Sequence, residues 1–133
     1  MIVKSLDHIN IQTRDVAATA RFFADVLELS PRPPVPGADP ARVTWMFDSA
    51  DRPLVHITMP GATFAEDAER PERTDTGAFN HVAFECSDHG GMLDRLGRLG
   101  IAFRRRDIAA IGLQQVFVTE PNGVLLELNF RDG

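Results

Sequence analysis

The chain sets out one order of elements twice, and this repetition limits the folds open to it more than any other feature. Leu6-Asp7-His8-Ile9-Asn10-Ile11-Gln12 aligns with Phe79-Asn80-His81-Val82-Ala83-Phe84-Glu85 at an offset of 73, and the histidines coincide. Asp15 matches Asp88 at the same offset. Each aspartate can accept the first free N–H groups of a helix, and helical apolar spacing follows each. Val16, Ala20, Phe23 and Leu27 form the first stripe, Met92, Leu96 and Leu99 the second. Both predict one-sided helices. Later in each half comes a β-rich run, residues 54–59 and 124–130, aligned at an offset of 71.

Further strand candidates precede those runs, residues 42–47 around Trp45 and residues 114–119. Glu120-Pro121-Asn122-Gly123 joins the second pair as a hairpin-type turn, Gly supplying positive φ and Pro ending the ladder. Asp51-Arg52-Pro53 takes a rougher form of that part in the first half. Pro31, Pro33, Pro34, Pro36 and Pro40 confine their segment to a sheet edge or an extended loop. Residues 61–77, acidic and without apolar period, read as a linker. The expected organisation is one α+β domain over 1–133, with module one at 1–60, the linker at 61–77 and module two at 78–133. Each module is βαβββ.

At 133 residues the chain can bury a core without a metal or disulfide staple, so a metal here would serve function. A formal net charge of -5 is the wrong sign for a phosphate backbone, which argues against nucleic acid as a partner. The single cysteine, Cys86, fits a reducing compartment. No long apolar run predicts a membrane span or signal segment, and the expected location is cytoplasmic.

Strand parity decides what the histidines face. Side chains alternate along a strand, so His8 shares a face with Asn10 and Gln12, and His81 with Glu85. His56 sits with Thr58, and Glu127 with Asn129. The apolar face of each run must meet its helix, which leaves His8, His56, His81 and Glu127 together on the other. His89 stands apart as a helix-start residue. Three imidazoles and a carboxylate, without thiolate, suit one divalent ion of Zn, Ni, Co, Mn or Fe(II).

The paired modules, with Leu6-Asp7-His8-Ile9, Asn80-His81-Val82-Ala83-Phe84 and Glu120-Pro121-Asn122-Gly123-Val124-Leu125-Leu126-Glu127-Leu128, strongly resemble the vicinal oxygen chelate superfamily. Glyoxalase I, fosfomycin-resistance proteins, extradiol dioxygenases and bleomycin-resistance binders belong to that group. The resemblance implies an incompletely closed, barrel-like mixed β-sheet with helices outside, built within one chain or by exchange of modules in a homodimer. First and last strands of the modules would supply the ligands, landing on His8, His56, His81 and Glu127.

The implied chemistry is chelation of two adjacent oxygens of a small-molecule substrate, with isomerase or lyase steps eased by the cation. Glu127 resembles the family's usual base, and Glu85, on the same face by parity, is the reserve. Trp45, Thr58, Gln115 and Asn129 are candidate substrate-binding wall residues. Where glyoxalase I typically places a glutamate, this chain has His56. It has no tyrosine, which extradiol dioxygenases and fosfomycin-resistance proteins generally use. Arg104-Arg105-Arg106 could stand in only for the charge of the basic cluster that fosfomycin-resistance proteins use near the phosphonate; the favoured reading is a solvated strand edge. A metal-dependent glyoxalase-like enzyme is the favoured reading; an extradiol-type dioxygenase and a non-catalytic, bleomycin-resistance-like sequestering protein are the alternatives.

Overall fold

The computed structural model describes residues 2–62 and 75–131. It divides the chain into two compact units, Met1–Glu72 and Arg73–Gly133. Most of the expected linker, 63–74, lies outside the described residues. The class is α+β, and among the described residues eight strands form two four-stranded mixed sheets.

In the first unit the elements are β1 (Ile9–Gln12), α1 (Val16–Leu27), β2 (Ser30–Arg32), β3 (Val43–Phe47) and β4 (Pro53–Thr58). The sheet order is β1-β4-β3-β2, with β1 parallel to β4 and the other pairs antiparallel. In the second unit they are β5 (His81–Cys86), α2 (His89–Leu99), β6 (Arg104–Ile108), β7 (Leu113–Thr119) and β8 (Leu125–Phe130). Its order, β5-β8-β7-β6, repeats the first. Pro31 falls on an edge strand, where its missing N–H costs no internal ladder bond.

Both helices start where the sequence predicts. Asp15 accepts from Ala18 N at 3.0 Å and Asp88 from Gly91 N at 3.0 Å, each meeting a donor that has no partner in the first turn. The buried stripe of α1 is Val16, Thr19, Phe23 and Val26, a step displaced from the predicted one. Ala20 and Leu27 flank it half-buried, because a 3.6-residue period lets the stripe follow i+3 as readily as i+4. α1 packs on β3 and β4, whose inner face carries Met46, Val55 and Ile57. Fully burying Phe23 there contributes roughly 2–3 kcal/mol. α2 buries Met92 and Leu96 but leaves Leu99 exposed, because Leu99 is its last residue before the left-handed Gly100 cap.

The turns before the last strands are built alike, though not where the sequence places the first of them. In the second unit Glu120 N donates to Val124 O at 3.0 Å and Gly123 N to Glu120 O at 3.0 Å. In the first, Asp48 N donates to Arg52 O at 3.0 Å and Asp51 N to Asp48 O at 3.0 Å. The counterpart of Glu120-Pro121-Asn122-Gly123 is therefore Asp48-Ser49-Ala50-Asp51, and Asp51 takes Gly123's place with φ of 61° against 90°. A short polar side chain tolerates that left-handed backbone better than most, which is how the first half manages without glycine. Among the described residues no helix is long and apolar enough to cross a membrane.

Candidate metal and substrate site

Register brings the singled-out side chains to one face of each sheet. In the first unit Asn10, His56 and Trp45 lie in one cross-strand row, and Gln12, Thr58 and Val43 in the next. In the second, Ala83, Glu127 and Phe117 form the matching row, followed by Glu85, Asn129 and Gln115. His56 and Glu127 therefore occupy the same place in the two modules. His8 and His81 also correspond, His8 one residue before its strand begins and His81 as the first of its own.

His56 is buried in a stack of rings. Its centroid lies 3.6 Å from that of His8, with planes 13° apart, and 3.9 Å from that of Trp45, with planes 7° apart. His56 Nε2 is buried without a hydrogen-bond partner, and an orphaned buried imidazole nitrogen is a costly feature that a ligand would relieve. Burial, and then the nearby His8, push the His56 pKa down from 6.5 to about 4. The neutral ring is thus the folded form at neutral pH, as a ligand requires.

The sign of the resulting pH dependence comes from linkage. The unfolded chain binds the His56 proton below pH 6.5 while the folded one resists it until about 4. Stability from this residue is therefore complete above about 6.5 and is lost as pH falls toward 4, by up to about 3 kcal/mol. Urea melts of chelator-treated protein at stepped pH are expected to show a steeper loss over that window than melts of His56→Phe. Parallel curves would contradict the assignment.

His8 and His81 are each held by the side chain that precedes them. His8 Nδ1 lies 2.6 Å from Asp7 Oδ2, and His81 Nδ1 lies 2.7 Å from Asn80 Oδ1. A carboxylate or amide oxygen can only accept, so Nδ1 is the donor in both rings, and the neutral tautomer with that hydrogen carries its lone pair on Nε2. This is the outer-shell arrangement that orients metal-binding histidines. His81 Nε2 lies 3.8 Å from Glu127 Oε1. Glu127 is steadied by a relay: Gln115 Nε2 donates to Asn129 Oδ1 at 3.1 Å, and Asn129 Nδ2 donates to Glu127 Oε2 at 3.0 Å. Gln115 Oε1 is buried and without a partner.

The structure thus assembles the predicted ligands as two pairs, His8 with His56 and His81 with Glu127. Among the described residues no group of three or more His, Cys, Asp or Glu side chains gathers as a metal site. Thr58, among the expected wall residues, exchanges hydrogen bonds with Asn10 at 3.2 and 3.4 Å. Glu85 is exposed and lies 3.7 Å from Arg131 rather than beside His81. His89 opens α2, as the sequence suggests, with its ring 5.2 Å from Phe130. Asp7 and Asn80 are the side chains beside the candidate ligands that sequence reasoning passed over. Their signal was an oxygen-bearing residue before each repeated histidine.

Residues 5–128 match the model of the Glyoxalase/Bleomycin resistance protein/Dioxygenase superfamily, and the chain belongs to that superfamily. It is 26% identical over 129 residues to a protein described as Glyoxylase I 4 of Arabidopsis thaliana, covering 93% of this chain and 69% of that one. Its fold is similar to that of the lactoylglutathione lyase of Agrobacterium tumefaciens, at TM-score 0.65 and 15% identity, covering 96% and 94% of the two chains. It is also similar to that of a mutant of the fosfomycin resistance protein FosX from Listeria monocytogenes, complexed with Mn(II) and 1S,2S-dihydroxypropylphosphonic acid. There the TM-score is 0.68 at 14% identity, covering 96% and 90%.

Proposed function

We propose that this protein is a divalent-metal-dependent, glyoxalase-like enzyme that acts on a small organic molecule with neighbouring oxygens by isomerase- or lyase-type proton transfer. His8, His56, His81 and Glu127 together would hold the ion, drawn from one chain or from the modules of two copies in a homodimer. The observation that carries this reading is the matched fixing of His8 by Asp7 and His81 by Asn80, which leaves Nε2 free in both. The orphaned Nε2 of His56 supports the third nitrogen. Zn, Ni, Co, Mn and Fe(II) all suit that donor set.

Bound in such a site, the ion would supply Lewis acidity toward charge developing on the substrate oxygens. The chain's own residues do the rest. Asn129 occupies Glu127 Oε2, so Oε1 is the oxygen that would face the ion and, on swinging off it, take and return a substrate proton. Gln115 holds Asn129 in turn, fixing the direction of that carboxylate. Trp45 and Phe117 flank the two central positions as apolar walls.

Elemental analysis of protein loaded with divalent ion and then gel-filtered is expected to show about one ion per chain. The loaded protein is expected to turn over a hemithioacetal. Oxygen uptake with a catechol in the Fe(II) form would favour ring cleavage instead. Tight, metal-independent ligand binding without turnover would point to sequestration.

A further inference from the structure

We propose that Trp45 is a positioning residue that clamps the His56 ring, and that His8 is the mobile ligand, turning off the His56 face to reach an ion. The inference rests on the metal reading above and says which of its ligands moves. A metal–nitrogen bond of about 2.1 Å lies in the plane of its imidazole, along the lone pair. His8 and His56 are stacked face to face, with centroids 3.6 Å apart and planes 13° from parallel. An ion in the plane of one ring therefore stands about a ring separation from the plane of the other, beyond the reach of such a bond. The stacked pair cannot hold one ion through both nitrogens. One ring must turn.

His56 is the ring that stays. Trp45, its cross-strand partner on β3, covers one face at 3.9 Å with planes 7° apart, and His8 covers the other. The Pro53 carbonyl accepts from its edge, and because Nε2 has no partner that edge is Nδ1. Contacts on both faces and on that edge fix the plane and the tautomer of a buried ring, leaving the lone pair on Nε2. His8 is held on one face and at Nδ1, and it stands one residue ahead of β1 with its side chain 36% exposed. Asp7, which accepts from it, is 88% exposed, so the two can swing together. The second module supplies a contrast. His81 Nε2 and Glu127 Oε1 approach to 3.8 Å, close to the roughly 3.4 Å that separates two donors on one tetrahedral ion. That pair is set in advance, and Phe117, in Trp45's place, is partnered with a carboxylate and has no ring to clamp.

The test is nuclear magnetic resonance of full-length protein labelled at histidine and tryptophan, first treated with chelator and then saturated with Zn(II). Without zinc, ring-to-ring cross-relaxation is expected for both His8–His56 and His56–Trp45. With zinc, the first is expected to vanish and the second to remain, while the Nε2 resonances of His8, His56 and His81 shift. Trp45→Leu is expected to raise the Kd for Zn(II) by about 10–100-fold, as loss of a partner that orients a ligand does. Trp45→Phe keeps an aromatic face and is expected to stay within about threefold of the parent. Equal losses in the two variants, or zinc bound with both ring contacts intact, would overturn the clamp. So would loss of the His56–Trp45 contact on zinc binding, which would make His56 the moving ring. No zinc-dependent shift in any histidine would instead defeat the metal reading, and this proposal with it.

Discussion

His81→Ala combined with Glu127→Ala is expected to abolish retention of divalent ion, read by elemental analysis after gel filtration. Binding energies of roughly 10–16 kcal/mol for a four-donor site amount to about 3 kcal/mol per donor, so losing two should weaken affinity by about four orders of magnitude. Asp7→Ala and Asn80→Ala should each weaken it by about 10–100-fold, because each frees a histidine to adopt the other tautomer or turn away. Competition against a coloured chelator resolves these steps. Unchanged metal content in the double variant would sink the ligand assignment. Full affinity in the Asp7 and Asn80 variants would remove the tautomer argument while leaving the ligands standing.

Glu120→Ala is expected to destabilise the protein by about 3 kcal/mol, a fall of about 10 °C in thermal midpoint for a chain of this size. Glu120 is 2% exposed and accepts from Asn122 N at 2.7 Å, Val124 N at 3.0 Å and Asn122 Nδ2 at 2.8 Å. Alanine leaves both backbone donors and the amide without their acceptor. Asp48 does the same work in the first module, accepting from Ala50 N at 3.0 Å and Arg52 N at 2.9 Å. Those bonds and the Arg52 guanidinium hold its pKa below the usual carboxylate value. Its setting is wetter, so Asp48→Ala should cost less, water replacing part of what is lost. Equal losses in the two variants would show that burial is not what distinguishes them.

The sequence made the repeat legible because helix caps, apolar periods and strand parity are all local. Asp15 and Asp88 could be recognised as caps from the apolar period that begins just after each, and the shared face of His56 and Thr58 from alternation alone. The register of β1 against β4 could not, since a parallel partner is chosen by packing across distant segments rather than by a turn. The turn at Asp48 was missed because its acidic residue lies three positions before the left-handed Asp51, and no glycine marked it. The relay from Gln115 through Asn129 to Glu127 was also hidden. Each member could be placed on a face, but which amide end meets which oxygen depends on rotamers that the sequence does not encode. Asp7 and Asn80 are legible as oxygen-bearing residues before each repeated histidine, but their bonds to Nδ1 depend on rotamers.

The stack that encloses His56 makes the protein its own optical gauge. Trp45 is the chain's single tryptophan and no tyrosine accompanies it, so near-ultraviolet emission comes from one indole pressed 3.9 Å from that imidazole. Any ligand that draws charge from His56 or shifts its ring must alter the brightness and colour of that emission. Occupancy can then be followed by fluorescence, without a label.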